Sequence, residues 1–133
     1  MRRAMSLVVG ASVVVLAACG DSTPAGTGTG TCTPGTTASV GITAAGVSPK
    51  AVCVRPAGTV TFTNGTAVQH EIEVDSPCSA TNGGTIAAGA SRILTFPVEQ
   101  VCTFRDPTVA TSEAANFAGT VGVSTVVVGS GGY

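Results

Sequence analysis

Apolar and polar positions alternate along the chain from about residue 38 onward, and the apolar positions hold mainly β-branched or aromatic residues. A period of two with these residue types predicts half-buried β-strands. The strands are expected around seven apolar pairs: Val40 and Ile42, Val52 and Val54, Val60 and Phe62, Ile72 and Val74, Leu94 and Phe96, Cys102 and Phe104, and Val121 and Val123 running on to Val126-Val127-Val128.

Turn-forming residues separate these runs about every eight to twelve positions. They are Ser48-Pro49, Pro56-Ala57-Gly58, Asn64-Gly65, Asn82-Gly83-Gly84, Ala88-Gly89 and Asp106-Pro107. No segment has the apolar stripe of a helix, and Ser112 to Ala115 makes one helical turn at most. About seven or eight short strands with this spacing predict an all-β sandwich or barrel.

The chain begins with a different pattern, two arginines followed by an apolar run from Leu7 to Ala18. A run of about 12 residues is too short to span a bilayer, which takes a helix of about 20 residues. We therefore interpret 1–18 as a secretory signal peptide. Its end resembles the lipobox of bacterial lipoproteins: Leu16-Ala17-Ala18-Cys19-Gly20. This resemblance implies that Cys19 is lipidated and becomes the first residue of the mature protein; the other interpretation is an ordinary signal peptide with a coincidental cysteine.

Residues 19–37 are predicted to form a tether between the lipid and the folded domain, which is assigned to 38–133. Gly20 to Thr31 contain no large side chain, so this stretch cannot bury a core. A flexible coil of about a dozen residues has a reach of roughly 20 Å. No other apolar run approaches spanning length, so the rest of the chain is expected outside the bilayer.

Composition narrows the function classes. Only 10% of the 133 residues are charged and the net charge is −1, which argues against a nucleic-acid binder, a coiled coil or a charged disordered chain. Removal of the signal peptide leaves four cations against seven carboxylates, one histidine and no methionine. The glycine-rich runs lack the strand–helix context of a nucleotide site, and no catalytic triad or HExxH motif is present, so we do not predict an enzyme.

Four cysteines remain after the lipidated Cys19 is set aside. An even number in an exported chain indicates a disulfide framework, and four cysteines allow three pairings. We favour Cys32–Cys53, which would fasten the end of the tether to the second predicted strand, together with Cys78–Cys102. No CxxC motif supports a zinc site or a thioredoxin-like redox pair.

The segment from Gly46 to Val128 resembles the cupredoxins, the plastocyanin-like copper proteins. The resemblance rests on these stretches: Val54-Arg55-Pro56-Ala57-Gly58-Thr59-Val60-Thr61-Phe62-Thr63-Asn64, His70-Glu71-Ile72, Pro77-Cys78, Ile86-Ala87-Ala88-Gly89, Cys102-Thr103-Phe104-Arg105-Asp106-Pro107 and Gly119-Thr120-Val121-Gly122-Val123. It implies a Greek-key β-sandwich with His70 at the position of the first copper-ligating histidine and Asp106 close to it. It also supports pairing Cys78 with Cys102, because the most similar bacterial group has cysteines at both places.

The copper ligands of that family are largely missing. Arg105 and Pro107 stand where the similar group has histidines. A type 1 copper centre uses two imidazoles, one thiolate and usually a weak axial thioether. With one histidine, no methionine in the mature chain and its cysteines assigned to disulfides, we expect a degenerate site and no cofactor. The alternative is weak copper binding by His70 with Asp106, Glu71 or Asp75.

Several residues near this site have two interpretations. His70 is expected to be a hydrogen-bonded or solvated residue at a strand end, so that His70→Ala changes stability by no more than about 1 kcal/mol. Arg105 is expected to pair with a carboxylate and fill the vacated site with positive charge. The acids Glu71, Glu73 and Asp75 are interpreted as a solvated strand face rather than a calcium site. Asn64-Gly65-Thr66 matches an N-glycosylation pattern but is interpreted as a turn.

Two functional hypotheses follow. The first is a lipid-anchored, non-catalytic structural or interaction module of the bacterial cell envelope, attached to the membrane through its lipid, with an unidentified envelope protein as a further partner and with no nucleic acid. The second is a copper-binding or electron-transfer protein that uses His70. If the cell has two membranes, Gly20 after the lipidated cysteine favours the outer membrane and the periplasmic side, because the inner-membrane retention signal is an aspartate at that position.

Overall fold

The computed structural model describes residues 32–78, 80 and 83–127. The signal peptide, Cys19 and most of the tether predicted from the sequence therefore lie outside the described residues. The described residues form eight strands: β1 Gly35–Thr43, β2 Gly46–Ser48, β3 Ala51–Asn64, β4 His70–Val74, β5 Gly84–Ile86, β6 Ser91–Phe96, β7 Gln100–Arg105 and β8 Ala118–Val123. The predicted all-β sandwich class is confirmed. No helix in the described part of the chain is long and apolar enough to cross a membrane.

The strands pair in the order β2-β1-β3-β8-β7-β4-β5, with β6 also paired to β3. The long strand β3 joins the two layers of the sandwich. Its first half, Ala51 to Val54, runs parallel to β8, and its second half, from Gly58 to Asn64, pairs with β1 and β6. The chain changes partners between these halves and so belongs to both layers.

The structure corrects the predicted turn at Pro56-Ala57-Gly58. Two strands were expected on either side of it, but the segment is an irregularity inside the single strand β3. Ala57 adopts a φ of 64°, in the left-handed region, and a Cβ on Gly58 would come within 2.7 Å of the Arg55 carbonyl oxygen. The backbone changes direction at these two positions. The residues after them hydrogen-bond to different strands, so the strand continues.

Other boundaries differ from the expectation. β1 begins at Gly35, and the three-residue strands β2 and β5 were not anticipated because they are too short to show a period. The last strand ends at Val123 and does not run on to Val126 and Val127, which are 64% and 57% exposed. The chain leaves the sheet there because the Thr125 N–H donates to the carboxylate of Glu99 instead of to a strand.

The core consists of the inward-facing residues of both layers. Phe62 and Phe104 meet edge to face, with ring centroids 4.9 Å apart, and both are fully buried. Beneath them β8 passes very close to its neighbours, since a Cβ on Gly119 would collide with the Lys50 carbonyl oxygen and the Phe104 ring. Glycine is therefore required for β8 to lie this close to its neighbouring segments at this point.

Both favoured disulfides are present, Cys32–Cys53 and Cys78–Cys102, with Cα–Cα distances of 5.9 and 5.6 Å. The first fixes where the chain enters the fold. Cys53 is adjacent to Val54, which pairs with Gly35 at the start of β1 and accepts a hydrogen bond from Ser124 N. We call this region, with its neighbouring loop at Glu99, the tether end.

The opposite end of the sandwich holds the end of β1, the start of β4 at His70 and the loop 106–117 between β7 and β8. We call it the histidine end. The nine residues of β1 run between the two ends. The eight steps between its first and last residue correspond to a length of about 26 Å at about 3.3 Å per step.

Candidate functional site

The loop that delivers His70 is organised by Asn64, a fully buried residue at the end of β3. The Asn64 side-chain amide donates to the carbonyls of Val68, Ile86 and Ala87, and its Oδ1 accepts from the N–H and hydroxyl of Thr66. The nitrogen that glycosylation would modify is thus fully engaged in the fold, which agrees with the turn interpretation. The alternation of apolar residues contained no signal for this positioning role.

His70 is held by Asp106, which the resemblance placed nearby. Nδ1 of His70 lies 2.6 Å from Oδ2 of Asp106, and the two residues are 5% and 3% exposed. The other carboxylate oxygen, Oδ1, accepts from the N–H and the hydroxyl of Thr108 at 2.8 and 2.6 Å. The two side chains therefore form a buried, directly bonded pair.

The charge state of Asp106 determines the direction of this bond. Burial alone would raise the pKa of the Asp106 carboxyl, but hydrogen bonds from the Thr108 hydroxyl and backbone, from His70 and from the Glu71 backbone together hold this pKa below its ordinary value. The group is an ionised acceptor at neutral pH. Nδ1 must then be the donor, which leaves a lone pair on Nε2 when the imidazole is neutral.

Phe117 completes the packing of the histidine. Its ring stacks on the imidazole with centroids 5.3 Å apart and an interplanar angle of 16°. His70 is thus the hydrogen-bonded strand-end residue that was one of the two expected forms, but its 5% exposure shows that it is not the surface residue assumed for His70→Ala. Phe117 ends an irregular loop of turns, where no periodic pattern marks a residue as buried.

Arg105 forms ion pairs, but not in the site where the sequence placed it. Its guanidinium lies 3.1 Å from Glu73 and 3.1 Å from Asp75, and about half of its side chain is exposed. Asp75 also accepts from the Thr103 hydroxyl at 2.8 Å. These acids of the outer sheet face are thus neutralised by a neighbouring strand and do not approach His70.

The donor set does not fit a type 1 copper centre. Nδ1 of His70 is bonded to a carboxylate, and the cysteines Cys78 and Cys102 are joined in a disulfide. Pro107 has no donor atom in its side chain. Among the described residues no group of three or more histidine, cysteine, aspartate or glutamate side chains is arranged to hold a metal ion.

A pocket of about 510 Å³ opens at the histidine end. Its walls come from three segments: the β1–β2 turn at Ala44, the loop 66–69 with His70, and the loop 108–117. Val68, Val109 and Phe117 contribute apolar surface, while Glu113 contributes a carboxylate. A concave, mainly apolar cavity with a few polar groups is the usual form of a small-molecule site.

Known structures share this architecture. The crystal structure of amicyanin from Paracoccus versutus (Thiobacillus versutus) matches with a TM-score of 0.55 and 19% identity, over 69% of this chain and 85% of amicyanin. A Cu(I) form of a methionine-to-alanine amicyanin mutant matches equally well, over 69% and 86% of the two chains. The domain therefore has a cupredoxin-like fold.

No protein-family model matches the chain, and no curated protein matches it either. At 19% identity the likeness to amicyanin establishes the fold and not the chemistry of the site.

Proposed function

We propose that this protein is a lipid-anchored cell-envelope protein whose cupredoxin-like domain acts as a non-catalytic structural or interaction module and has lost the type 1 copper site. Cupredoxins are generally electron-transfer proteins rather than enzymes. This chain has the cupredoxin-like fold, but its single histidine is hydrogen-bonded to the carboxylate of Asp106. The role therefore depends on the surface and the pocket of the domain instead of on a redox metal.

The observation that carries the proposal is the bond between His70 Nδ1 and Asp106 at 2.6 Å. A copper ion bound at Nδ1 would have to displace this proton and leave the buried carboxylate without its partner. Leaving a buried charge unpaired costs more than an ordinary hydrogen bond returns. Around His70, the part of the chain that the structure describes supplies no thiolate or second imidazole in compensation.

Anchoring is proposed from the amino-terminal sequence. The run from Leu7 to Ala18, the lipobox-like end and Cys19 support export and attachment through acyl chains. Two or more acyl chains hold a protein on a membrane far more firmly than one. The location is the bacterial cell envelope, on the periplasmic side of the outer membrane in a cell with two membranes.

Copper loading tests the loss of the site. The folded protein, incubated with copper and desalted, is expected to stay colourless at about 600 nm, where thiolate-to-copper transitions absorb, and to retain well under one copper per chain. His70→Ala serves as the control for site-specific metal. Tight stoichiometric copper that disappears in His70→Ala would contradict the proposal and support the copper-binding alternative.

Detergent partitioning tests the anchor. The full chain expressed in a bacterium is expected to enter the detergent phase and to gain mass equal to acyl chains, and Cys19→Ala is expected to abolish both. A soluble, unmodified wild-type protein cut at another bond would contradict the lipoprotein assignment without affecting the copper result.

A further inference from the structure

One polar atom in the wall of the pocket has no partner among the described residues. His70 donates through Nδ1 to Asp106, and none of the described residues hydrogen-bonds Nε2. No fully buried side-chain nitrogen or oxygen of the described residues lacks a partner, so Nε2 keeps contact with solvent at the pocket. A side chain that is only 5% exposed thus presents one acceptor atom to the cavity.

The hydroxyls that line the same cavity are already engaged. Thr66 bonds to Asn64 and to Val68, and the Thr108 hydroxyl donates to Asp106 at 2.6 Å. Among the described side chains, the polar groups left for a ligand are Nε2, the carboxylate of exposed Glu113 and the amide of Gln69. Two of these three groups are acceptors.

Among the described residues, the charged groups in and directly behind the pocket wall are negative. None of the described lysines and arginines lines the pocket. Glu113 is a carboxylate in its wall, and the ionised Asp106 lies directly behind His70. Lys50, on a neighbouring segment, donates to the carbonyl of Ala115 at 2.8 Å instead. The electrostatic potential in the cavity therefore favours a cation and disfavours an anion.

We propose that this pocket binds a small organic ammonium ion whose N–H group donates to His70 Nε2, whose charge is paired with Glu113, and whose apolar part lies against Val68, Val109 and Phe117. Asp106 fixes the orientation of the ring through Nδ1, so that Nε2 faces the cavity. Aromatic and apolar walls suit the hydrocarbon part of such a ligand.

The inference rests on the proposed function in one respect, that copper does not occupy the histidine end. The two can fail separately, because the copper content of the sample is measured before the titration and the ligand is added to metal-depleted protein. A copper-loaded sample would contradict the proposed function alone.

The test is a titration followed by amide chemical shifts of the lipidated full chain in detergent micelles. Three probes of equal size are compared: benzylamine, protonated at neutral pH, benzyl alcohol and benzoate. Benzylamine is expected to shift the amides around the pocket, such as Val68 and Glu113, and to bind about fivefold or more tightly than benzoate. Amides at the tether end, such as Val126, report partitioning into the micelle and are expected to stay unchanged.

Two variants separate binding from folding. Glu113→Gln changes an exposed residue and is expected to weaken benzylamine about fivefold while leaving benzyl alcohol within about twofold. Glu73→Gln, a carboxylate outside the pocket, is the matched control and is expected to change neither. Equal binding of benzylamine and benzoate, shifts unaffected by Glu113→Gln, or no shifts with benzylamine would each overturn the proposal.

Discussion

The hydrogen bonds at the histidine end depend on the carboxylate of Asp106. It accepts hydrogen bonds from His70 and from Thr108, and it is almost fully buried. Removing it would leave the Nδ1 proton and the Thr108 N–H without acceptors in a site that water reaches poorly. Each unmade bond of this kind costs about 1–3 kcal/mol.

We therefore expect Asp106→Ala to lower the free energy of unfolding by about 2–4 kcal/mol in urea denaturation. His70→Ala is expected to cost more than the surface value of about 1 kcal/mol, because it leaves the buried carboxylate unpaired. Glu73→Ala, which removes a half-exposed ion pair, is the control and should change stability by about 1 kcal/mol or less. Equal effects of the Asp106 and Glu73 variants would refute the account of the pair.

The depressed pKa of Asp106 also predicts a pH dependence. A carboxyl whose pKa is lower in the folded than in the unfolded state adds stability above its unfolded value, 3.8, and this stability is lost as the pH falls through the folded value. Unfolding free energies measured between about pH 5 and pH 2 should fall more steeply for the wild type than for Asp106→Asn. Parallel curves would show that Asp106 does not titrate differently in the folded state.

The sequence predicted that Asp106 lies near His70, but it did not predict that the imidazole is buried. The proximity of Asp106 to His70 followed from the resemblance, since both occupy recognisable motifs. Burial of the imidazole did not follow, because it depends on Phe117, which closes an irregular loop, and on Asn64, whose hydrogen bonds link three separate segments. Long-range contacts of single residues leave no periodic trace in the chain.

At the scale of elements, the fold depends on close approach of strands at a few glycines. At Gly119, β8 lies very close to the Lys50 carbonyl oxygen and to the ring of Phe104 in the core. Gly41, in β1, also lies in a strand, but a Cβ there would stand 3.5 Å from the Ser48 carbonyl oxygen, an ordinary contact.

Gly119→Ala is accordingly expected to destabilise the domain by about 2–3 kcal/mol or more, because neither the Lys50 backbone nor the buried Phe104 ring has room to shift. Gly41→Ala is the matched control and should stay within about 1 kcal/mol. Thermal and urea unfolding of the two variants measure the difference, and similar values for both would contradict the packing described for β8.

Strand positions were predictable where apolar residues alternate over several residues, as in β1, β6 and the second half of β3. The limits of the method are visible at Pro56-Ala57-Gly58 and after Val123. At Pro56-Ala57-Gly58 the turn residues do not separate two strands but change the direction of one strand, which then pairs with other strands. After Val123 the apolar run does not form a strand, because it has no neighbouring strand to hydrogen-bond. Pairing partners, rather than local preference, decide these boundaries.

At the scale of the whole molecule, the chain enters the fold at one end and presents its pocket at the other. Cys32 is bonded to Cys53 at the tether end, whereas His70, Glu113 and Phe117 lie at the histidine end. The Gly20 to Thr31 stretch of the proposed tether is expected to reach roughly 20 Å, less than the length of about 26 Å estimated for β1. An anchored domain is thus expected to face the membrane with the tether end and to turn its pocket away.

Relaxation by spin-labelled lipids tests this orientation. In vesicles with nitroxide headgroups, the lipidated protein should show stronger broadening of the Val98 and Val126 amides than of the Val68 and Glu113 amides. Cys19→Ala, mixed with the same vesicles, should show no broadening. Equal or reversed broadening in the lipidated protein would contradict the orientation.

The most direct test of the central claim is the protonation state of the His70 ring, observed by long-range proton–nitrogen NMR of the full chain labelled with ¹⁵N-histidine. Because this chain contains a single histidine, the spectrum has one imidazole to assign. The account predicts a protonated Nδ1 bonded to Asp106, with the Nδ1 signal unchanged after one equivalent of diamagnetic Cu(I) is added. Loss of the Nδ1 proton and a shift of that nitrogen on addition of Cu(I) would contradict it.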